Sequence, residues 1–319
     1  MGRRKLAPSI SKNDLSGSEA WPALAYPAWK DTYATLHMSS QIVGKIRLRQ
    51  APWLNHSWQV TLYPTVRGLT TSAMPYYNRL FQIDFDFVAH QLLIRSSDGA
   101  AAAMPLAAHS VADFYQELFA RLHQLGFDVA IHKTPNEVVD PIPFDQDHVH
   151  ASYDADYVAR FHRVLLQAAR VLQEFRGRFI GKSSPVHFFW GSFDLAVTRF
   201  SGRSAPLHPG GAPNCPDRVM QEAYSHELAS VGFWPGNEQL PYPAFYAYAY
   251  PVPAGFDRAP PPSEKSFYDS ALGEFILPYD EVRQAASPDA MLLEFVQGSY
   301  EAAATLGHWD RRALELGFN

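Results

Sequence analysis

Residues 184–202 read SPVHFFWGSFDLAVTRFSG and decide the fold. Aromatic and aliphatic side chains fill most of the stretch, with a proline near its start and a glycine at its end, which is typical of buried strands. The step at Gly191 and Ser192 interrupts the apolar run. We therefore predict two strands, over 186–190 and 193–200, joined by a tight turn or a bulge.

Three ionisable side chains lie inside these predicted strands, at His187, Asp194 and Arg199. A polar group in a buried strand costs free energy unless it is paired. A lone buried histidine such as His187 is most often a hydrogen-bonded core residue. Asp194 and Arg199 can pair with each other or with Arg67. The alternative is that these residues belong to a functional site.

Composition narrows the class of protein. The chain has 319 residues, of which 47% are hydrophobic, 14% aromatic and 18% charged, and its formal net charge is −5. This length allows one large domain or two closely packed ones. The hydrophobic content excludes global disorder, and the aromatic content favours a pocket lined with rings. The negative charge argues against nucleic acid or an anionic membrane surface as partner.

The N-terminal segment and the cysteine content indicate the compartment. Residues 1–19 contain basic residues without an apolar region behind them, so no signal peptide is expected, and no window is apolar enough to span a membrane. Cys215 is the single cysteine and cannot form an intrachain disulfide. We therefore expect a cytoplasmic protein.

Apolar spacing predicts a mixture of helices and strands. Predicted helices cover 29–48, 111–125 (with Ser110 as N-cap), 154–179, 217–227 and 290–306. Predicted strands, besides the pair above, cover 58–69, 81–88, 91–95, 102–106, 129–132, 244–250 and 274–277. The fold class is α+β with antiparallel sheet.

The second half of the chain repeats the first in the order helix, strands, helix. The clearest match pairs residues 114–119 with 295–300 at identical spacing. Apolar periodicity alone produces such matches singly, but their common order along the chain favours a duplication. We predict two pseudo-twofold repeats, which resemble the duplicated TATA-binding-protein-like arrangement in topology only.

The predicted organisation follows from this repeat. We expect a disordered tail over 1–19, a first repeat over 20–135, a linker over 136–153 and a second repeat over 154–319. The second repeat carries an insertion over 203–243. The two repeats are expected to form one compact body.

An aromatic-lined pocket between the repeats is the expected substrate site. Residues 244–250, AFYAYAY, alternate ring and alanine, so one face of that strand is almost entirely aromatic. The loop over 203–216 contains four prolines and a glycine pair and is a candidate lid. The predicted pocket residues are Trp190, Tyr246, Tyr248, Tyr250 and His208.

A divalent metal is the expected cofactor. Glu222 and His226 are four residues apart on the predicted helix over 217–227, and therefore share a face. With His187 they make a set of two histidines and one carboxylate, suited to iron, manganese or zinc. The alternative is an exposed helix that carries a Glu-His pair. Residues 147–150, Asp-His-x-His, are a second candidate, more typical of a linker or a helix cap.

Three further residues are expected to take part in chemistry. Asp194 and Glu227 are candidate proton carriers beside the metal, and Arg199 is a candidate anchor for an anionic group. The sequence contains no glycine-rich phosphate loop, no G-x-S-x-G, no C-x-x-C and no H-E-x-x-H motif. Nucleotide chemistry and hydrolysis by serine or cysteine are therefore disfavoured.

Several motifs together resemble an uncharacterised bacterial domain-of-unknown-function family. The motifs are QIVGKIRL at 41–48, RGLTT at 67–71, the stretch over 184–202, EAYSHE at 222–227 and FYAYAYP at 245–251. The resemblance covers nearly the whole chain from Trp21 onward. It implies one full-length family unit in a bacterial, soluble setting, and it supplies no activity, cofactor or catalytic residue.

The residues thus support two hypotheses. The first is a metal-dependent enzyme, a hydrolase or oxygenase, that acts on a small organic substrate in the aromatic pocket. The second is a non-catalytic module that binds or senses a small molecule. Neither hypothesis involves nucleic acid or membrane, and the oligomeric state stays open.

Overall fold

The computed structural model describes residues 20–317. The predicted tail over 1–19 lies outside the described residues. Helices cover Tyr26–Gln50 (α1), Val111–Gln124 (α2), Ala155–Gly177 (α3), Asp217–Ala223 (α4), Tyr279–Gln284 (α5), Pro288–Leu306 (α6) and Arg311–Leu314 (α7). Strands cover Tyr63–Thr65 (β1), Gly68–Thr70 (β2), Met74–Tyr76 (β3), Arg79–Asp86 (β4), Gln91–Ser96 (β5), Ala101–Pro105 (β6), His187–Phe189 (β7), Asp194–Ser204 (β8), His226–Trp234 (β9), Ala244–Tyr250 (β10), Phe267–Asp269 (β11) and Glu274–Pro278 (β12).

Within this part of the chain the strands form two six-stranded antiparallel sheets, which confirms the α+β class. The first sheet has the order β1-β2-β4-β5-β6, with β3 also paired to β4. The second has the order β11-β12-β10-β9-β8-β7. Backbone hydrogen bonds between Leu62 and Phe188, with N···O distances of 2.9 and 2.7 Å, join the two sheets where their first strands meet.

Alternation along the strands of the second sheet separates two faces. One face packs into the main core with the helices and includes Leu195, Val197, Val231, Phe233 and Phe245. Because neighbouring side chains of a strand point to opposite sides, the other face carries Asp194, Thr198, Ser230 and Tyr246. The second face is where a cavity lies.

The helices begin and end largely where the sequence predicts. Ser110 is the N-cap of α2 and forms a reciprocal capping box with Asp113, and Asp154 is the N-cap of α3. Such caps satisfy backbone N–H groups that have no partner inside the helix. No helix within residues 20–317 is long and apolar enough to cross a membrane.

Several predicted elements are wrong. In place of the strand over 58–69, a turn over 58–60, which follows the 3₁₀ turn at Asn55–Ser57, leads into the hairpin β1–β2, and residues 129–132 form no strand. The sequence did not predict β9, a central strand of the second sheet, which lies within the segment 203–243 predicted as an insertion. Its Gly232 and small neighbours weaken the pattern that identifies a strand.

The segment predicted as a linker over 136–153 packs closely onto the body. Asn136 exchanges two hydrogen bonds with the Gln41 side chain on α1, each 2.8 Å long. Asp147 is fully buried, and its carboxylate accepts from the backbone N–H groups of Val149 and His150 at 3.1 Å. The Asp-His-x-His motif therefore forms a compact turn next to the start of α2, where backbone carbonyls of the motif accept from N–H groups of the helix.

Candidate functional site

A cavity of about 570 Å³ lies against the outward face of the second sheet. Its floor comes from β8, β9 and β10, and its cover from the 3₁₀ turn at Asn55–Ser57, the segment around Glu137, and α4. Eight aromatic side chains line it: Trp53, Trp58, Phe189, Trp190, Phe200, Tyr224, Tyr246 and Tyr248. This volume and lining are typical of a site for a small organic molecule.

The predicted pocket residues Trp190, Tyr246 and Tyr248 all line this cavity. Tyr250 and His208 lie behind its wall, where their rings contact Tyr224 at centroid distances of 5.3 and 4.6 Å. The Trp190 indole occupies the space where a Cβ on Gly44 would lie, and its Nε1–H donates to the Val60 carbonyl at 2.7 Å. Because Gly44 has no side chain, the Trp190 ring packs directly against α1, and its hydrogen bond to Val60 holds it between α1 and the cover.

Asp194 is the buried acid of the cavity, with 7% of its surface exposed. The Ser192 hydroxyl and the Tyr246 hydroxyl both donate to its carboxylate. Tyr246 reaches Asp194 across β9 at Gly232, where a Cβ would lie 2.4 Å from the tyrosine oxygen. Burial raises the pKa of Asp194, and the two hydroxyl donors oppose that rise.

Glu137 is the second acid of the cavity, and it lies opposite Gly191. A Cβ on Gly191 would be 2.1 Å from the Glu137 Oε1 atom, so the glycine makes room for the carboxyl group. The backbone of Glu137 has φ of 58°, a left-handed conformation that costs about 1 kcal/mol for a residue with a side chain. Hydrogen bonds hold it there: its N–H donates to the Pro213 carbonyl at 2.8 Å, and Asn214 Nδ2 donates to the carbonyl of Val138 at 2.8 Å.

The Glu137 carboxyl group makes no hydrogen bond or ion pair to any residue within 20–317. Glu137 is an exposed residue by surface area, although it lines the cavity and its Oε1 atom lies against Gly191. Desolvation by the surrounding protein, with a smaller contribution from the charge of Asp194, raises the pKa of Glu137 to about 7. A carboxyl group with such a pKa can exchange a proton at neutral pH.

Glu222 closes one end of the cavity and is held by backbone groups. Its two carboxylate oxygens accept from the N–H groups of His56 and Ser57 at 2.7 and 3.1 Å. Both of these residues have positive φ, and the carboxylate thus caps a strained turn. Glu222 therefore fastens α4 to the 3₁₀ turn.

His56 continues this contact. Its Nδ1–H donates to the Ala223 carbonyl at 2.9 Å, which leaves Nε2 to accept from the Lys182 ammonium at 2.6 Å. Burial lowers the pKa of His56, the hydrogen bond to the Ala223 carbonyl partly opposes this effect, and the charge of Lys182 lowers the pKa further. We infer a neutral imidazole whose tautomer is set by these two partners.

The three predicted metal ligands do not lie together as expected. The helix that was to carry both Glu222 and His226 ends at Ala223, and His226 begins β9 with its Nδ1 3.0 Å from the Ser225 hydroxyl. His187 is fully buried beneath Trp58 and Phe189, and within residues 20–317 neither ring nitrogen has a hydrogen-bond partner. No group of three or more His, Cys, Asp or Glu side chains in that range is arranged to hold a metal.

Of the predicted catalytic residues, only Asp194 lines the cavity. Arg199 is an odd number of positions away on β8 and therefore points into the core, where it lies 3.5 Å from the ring centre of Phe175 and 4.3 Å from that of Tyr300. Glu227 accepts from Arg203 at 2.6 Å outside the cavity. The predicted pairing of Asp194 with Arg199 or Arg67 is wrong.

Glu137 and Cys215 also line the cavity, and neither was predicted as a site residue from the sequence. Each lies in an irregular segment rich in proline. Such a segment has no regular spacing of apolar residues from which the direction of a side chain could be predicted. The positive φ at Glu137 and the contact with Gly191 depend on tertiary structure. No local signal in the sequence marks either residue.

Comparisons with known proteins identify the family and no activity. No curated protein and no solved structure matches the chain. The family model that matches covers residues 21–316, which confirms the resemblance to a domain-of-unknown-function family. The chain belongs to DUF5996, a family of unknown function.

Proposed function

We propose that this protein is an enzyme that acts on a small organic molecule in the aromatic cavity, with Glu137 as its acid or base. One observation carries the proposal: a carboxyl group without a partner in the described part of the chain lines a cavity surrounded by rings, and its pKa is raised to about 7. An ordinary surface carboxylate keeps its usual pKa, because water stabilises its charge. A strained backbone conformation at the same residue is a further feature of functional sites.

Asp194 has a supporting role in this proposal. Its carboxyl group is buried and held by two hydroxyl donors, whereas the Glu137 carboxyl group has no hydrogen-bond partner among the described residues. Two carboxyl groups in different environments are a recurrent arrangement in acid–base catalysis, because the environments separate their pKa values. The reaction class we propose is proton transfer to or from a bound substrate.

The divalent metal stays a proposal in its own right. The ligands predicted from the sequence were His187, Glu222 and His226, and Glu222 already accepts two backbone hydrogen bonds. A metal at this place would need these contacts to rearrange. Elemental analysis of protein purified without an affinity tag for metals tests it, together with the variant His226→Ala, which should lose the metal.

The test of the proposed function is a turnover experiment. Wild-type protein and the variant Glu137→Gln are incubated with a bacterial metabolite extract in D₂O, with and without added divalent metal, and the extract is followed by mass spectrometry. We expect wild-type protein to consume or deuterate specific compounds, and the variant to lose this effect. Equal turnover by both proteins would remove Glu137 from the mechanism.

A non-catalytic binding module is the second candidate. The observation that favours it is the aromatic wall, which supplies affinity without chemistry. Compounds that are retained by the protein in equilibrium dialysis but not altered would favour this function over the enzyme.

We also propose that the chain is a duplicated pseudo-twofold body of TATA-binding-protein-like topology. Support comes from the order helix, strands, helix in each half and from the antiparallel contact between Leu62 and Phe188, which joins the first strands of the two sheets. The floor of the cavity belongs to the second half, and part of its cover, the 3₁₀ turn at Asn55–Ser57, belongs to the first half. A solved structure in which the two halves superpose strand for strand would test the duplication.

A further inference from the structure

The charges that line the cavity are predominantly negative. Glu137, Asp194 and Glu222 contribute carboxyl groups, and Arg218 contributes the one guanidinium of the lining. Glu222 accepts hydrogen bonds from backbone N–H groups, and Arg218 on α4 is exposed, as Glu137 is. The lining therefore has two carboxyl groups, those of Glu137 and Asp194, that form no ion pair with any described residue.

A third acid lies behind the tyrosine wall. Glu274 stands on β12 next to β10, and burial, followed by the charge of Asp194, raises its pKa to about 7. Groups of like charge raise one another's pKa, because each disfavours the ionised form of the next. A positive charge placed among them would relieve this repulsion.

The nearby lysines do not supply that charge inside the cavity. Lys182 is exposed, and its ammonium group contacts His56 and the rings of Trp58 and Phe200. Lys45 is buried on α1 at 5.9 Å from the ring centre of Phe144, and burial lowers its pKa to about 8. Neither ammonium group belongs to the lining.

The rings add a second attraction for a cation. The electron-rich faces of Trp and Tyr attract ammonium groups, most strongly where water is excluded. Trp190, Tyr246 and Tyr248 lie beside the two carboxyl groups. Small metal ions, by contrast, require several oxygen ligands, and most of this wall is carbon.

Resting on the proposed function, we infer that the ligand of this cavity is an organic cation, a small molecule that bears an amine or quaternary ammonium group. Its charge lies between Glu137 and Asp194, and its apolar body contacts the aromatic wall. The volume of about 570 Å³ accommodates a molecule of this kind.

The test compares molecules of the same shape with and without the charge. Choline is paired with 3,3-dimethylbutan-1-ol, and phenethylamine with 2-phenylethanol, and 3-phenylpropionate is the anionic comparison. Binding is followed by quenching of tryptophan fluorescence and by isothermal calorimetry. We expect at least one cation to bind at least about tenfold more tightly than its neutral counterpart, since a single charged contact contributes about that factor.

Variants assign the effect to the site. Glu137→Gln should weaken cation binding by about tenfold and leave the affinity of the neutral counterpart unchanged. Glu264→Gln makes the same chemical change at an exposed position outside the cavity and should have no effect. Because the Glu137 carboxyl group makes no hydrogen bond to the described residues, its replacement should not unfold the protein, which circular dichroism checks.

Three results would overturn the inference. They are equal affinity for charged and neutral members of both pairs, preferential binding of the anion with loss in Arg218→Ala, and no binding of any probe. The proposed function is judged separately, by turnover in the metabolite extract. Turnover without cation binding would leave the enzyme standing and remove the cation, whereas cation binding without turnover would favour the binding module.

Discussion

Replacement of Tyr246 by Phe tests how the cavity holds its buried acid. The substitution removes one hydroxyl group that donates to the Asp194 carboxylate and keeps the ring. Tyr248→Phe is the matched control, because Tyr248 lies two positions along the same strand and its hydroxyl is 2.8 Å from the neutral hydroxyl of Tyr224. In Tyr246→Phe the group that loses its hydrogen-bond donor is a carboxylate, whereas in Tyr248→Phe it is a neutral hydroxyl group.

The magnitude follows from that difference. Loss of a hydrogen bond to a buried charged group costs about 2 kcal/mol in the free energy of unfolding, and loss of one between neutral groups costs about 1 kcal/mol. The pH dependence has a definite sign. Burial raises the folded-state pKa of Asp194 above its ordinary value of 3.8, so the unfolding free energy falls as the pH rises from about 4 through the folded pKa.

Tyr246→Phe removes a donor that favours the ionised carboxylate, so the folded pKa rises further. Its cost should therefore be about 2 kcal/mol above the folded-state pKa of Asp194 and decrease to about 1 kcal/mol below that pKa, where Asp194 is protonated. Urea unfolding at several pH values measures both variants. A cost of Tyr246→Phe that equals that of Tyr248→Phe and does not vary with pH would refute a charged, hydrogen-bonded Asp194.

Three further predictions concern other parts of the chain. Gly232→Ala places a methyl carbon 2.4 Å from the Tyr246 oxygen and 2.3 Å from the Leu195 carbonyl oxygen, so we expect a loss of about 2 kcal/mol in urea unfolding; an unchanged midpoint would contradict this contact. Ser110→Ala removes the cap of α2 and should cost about 1 kcal/mol in the same measurement, and no change would show that the cap is dispensable. Burial raises the pKa of the Cys215 thiol, so Cys215 should react with Ellman's reagent more slowly in the folded protein than after unfolding; equal rates would place it in open solvent.

The sequence predicts the regular elements well wherever periodicity is strong. The strands around the Gly191-Ser192 step, the tyrosine strand over 244–250 and the long helix over 154–179 are all present within a few residues of their predicted bounds. In each of these elements one face is buried along the whole length, so the spacing of apolar residues in the sequence identifies the element. β9 was not predicted, because Gly232, Ser230 and the polar residue His226 at its start interrupt the apolar alternation of the strand.

The site was predicted only in part, for a physical reason. The strand that carries Tyr246 and Tyr248 is regular, so its alternation shows that these rings share a face. Glu137 instead approaches Gly191 from an irregular segment, and a contact of that kind depends on packing between distant parts of the chain. The expected ligand pair, Glu222 and His226, assumed a helix that ends at Ala223.

The two sheets differ in what their outward faces carry, and this difference supports the proposed site. On the first sheet, Gln82 donates to Asp84, which also pairs with the half-exposed Arg95, as expected of a face in contact with water. On the second sheet the corresponding face carries tyrosines and a buried carboxylate beneath a cover. A solvated face needs no cover, whereas an apolar face that was only structural would be filled by side chains. The second face is covered but not filled, and the strained Glu137 backbone brings an acid to the space that remains, so we infer that this space was shaped for a ligand.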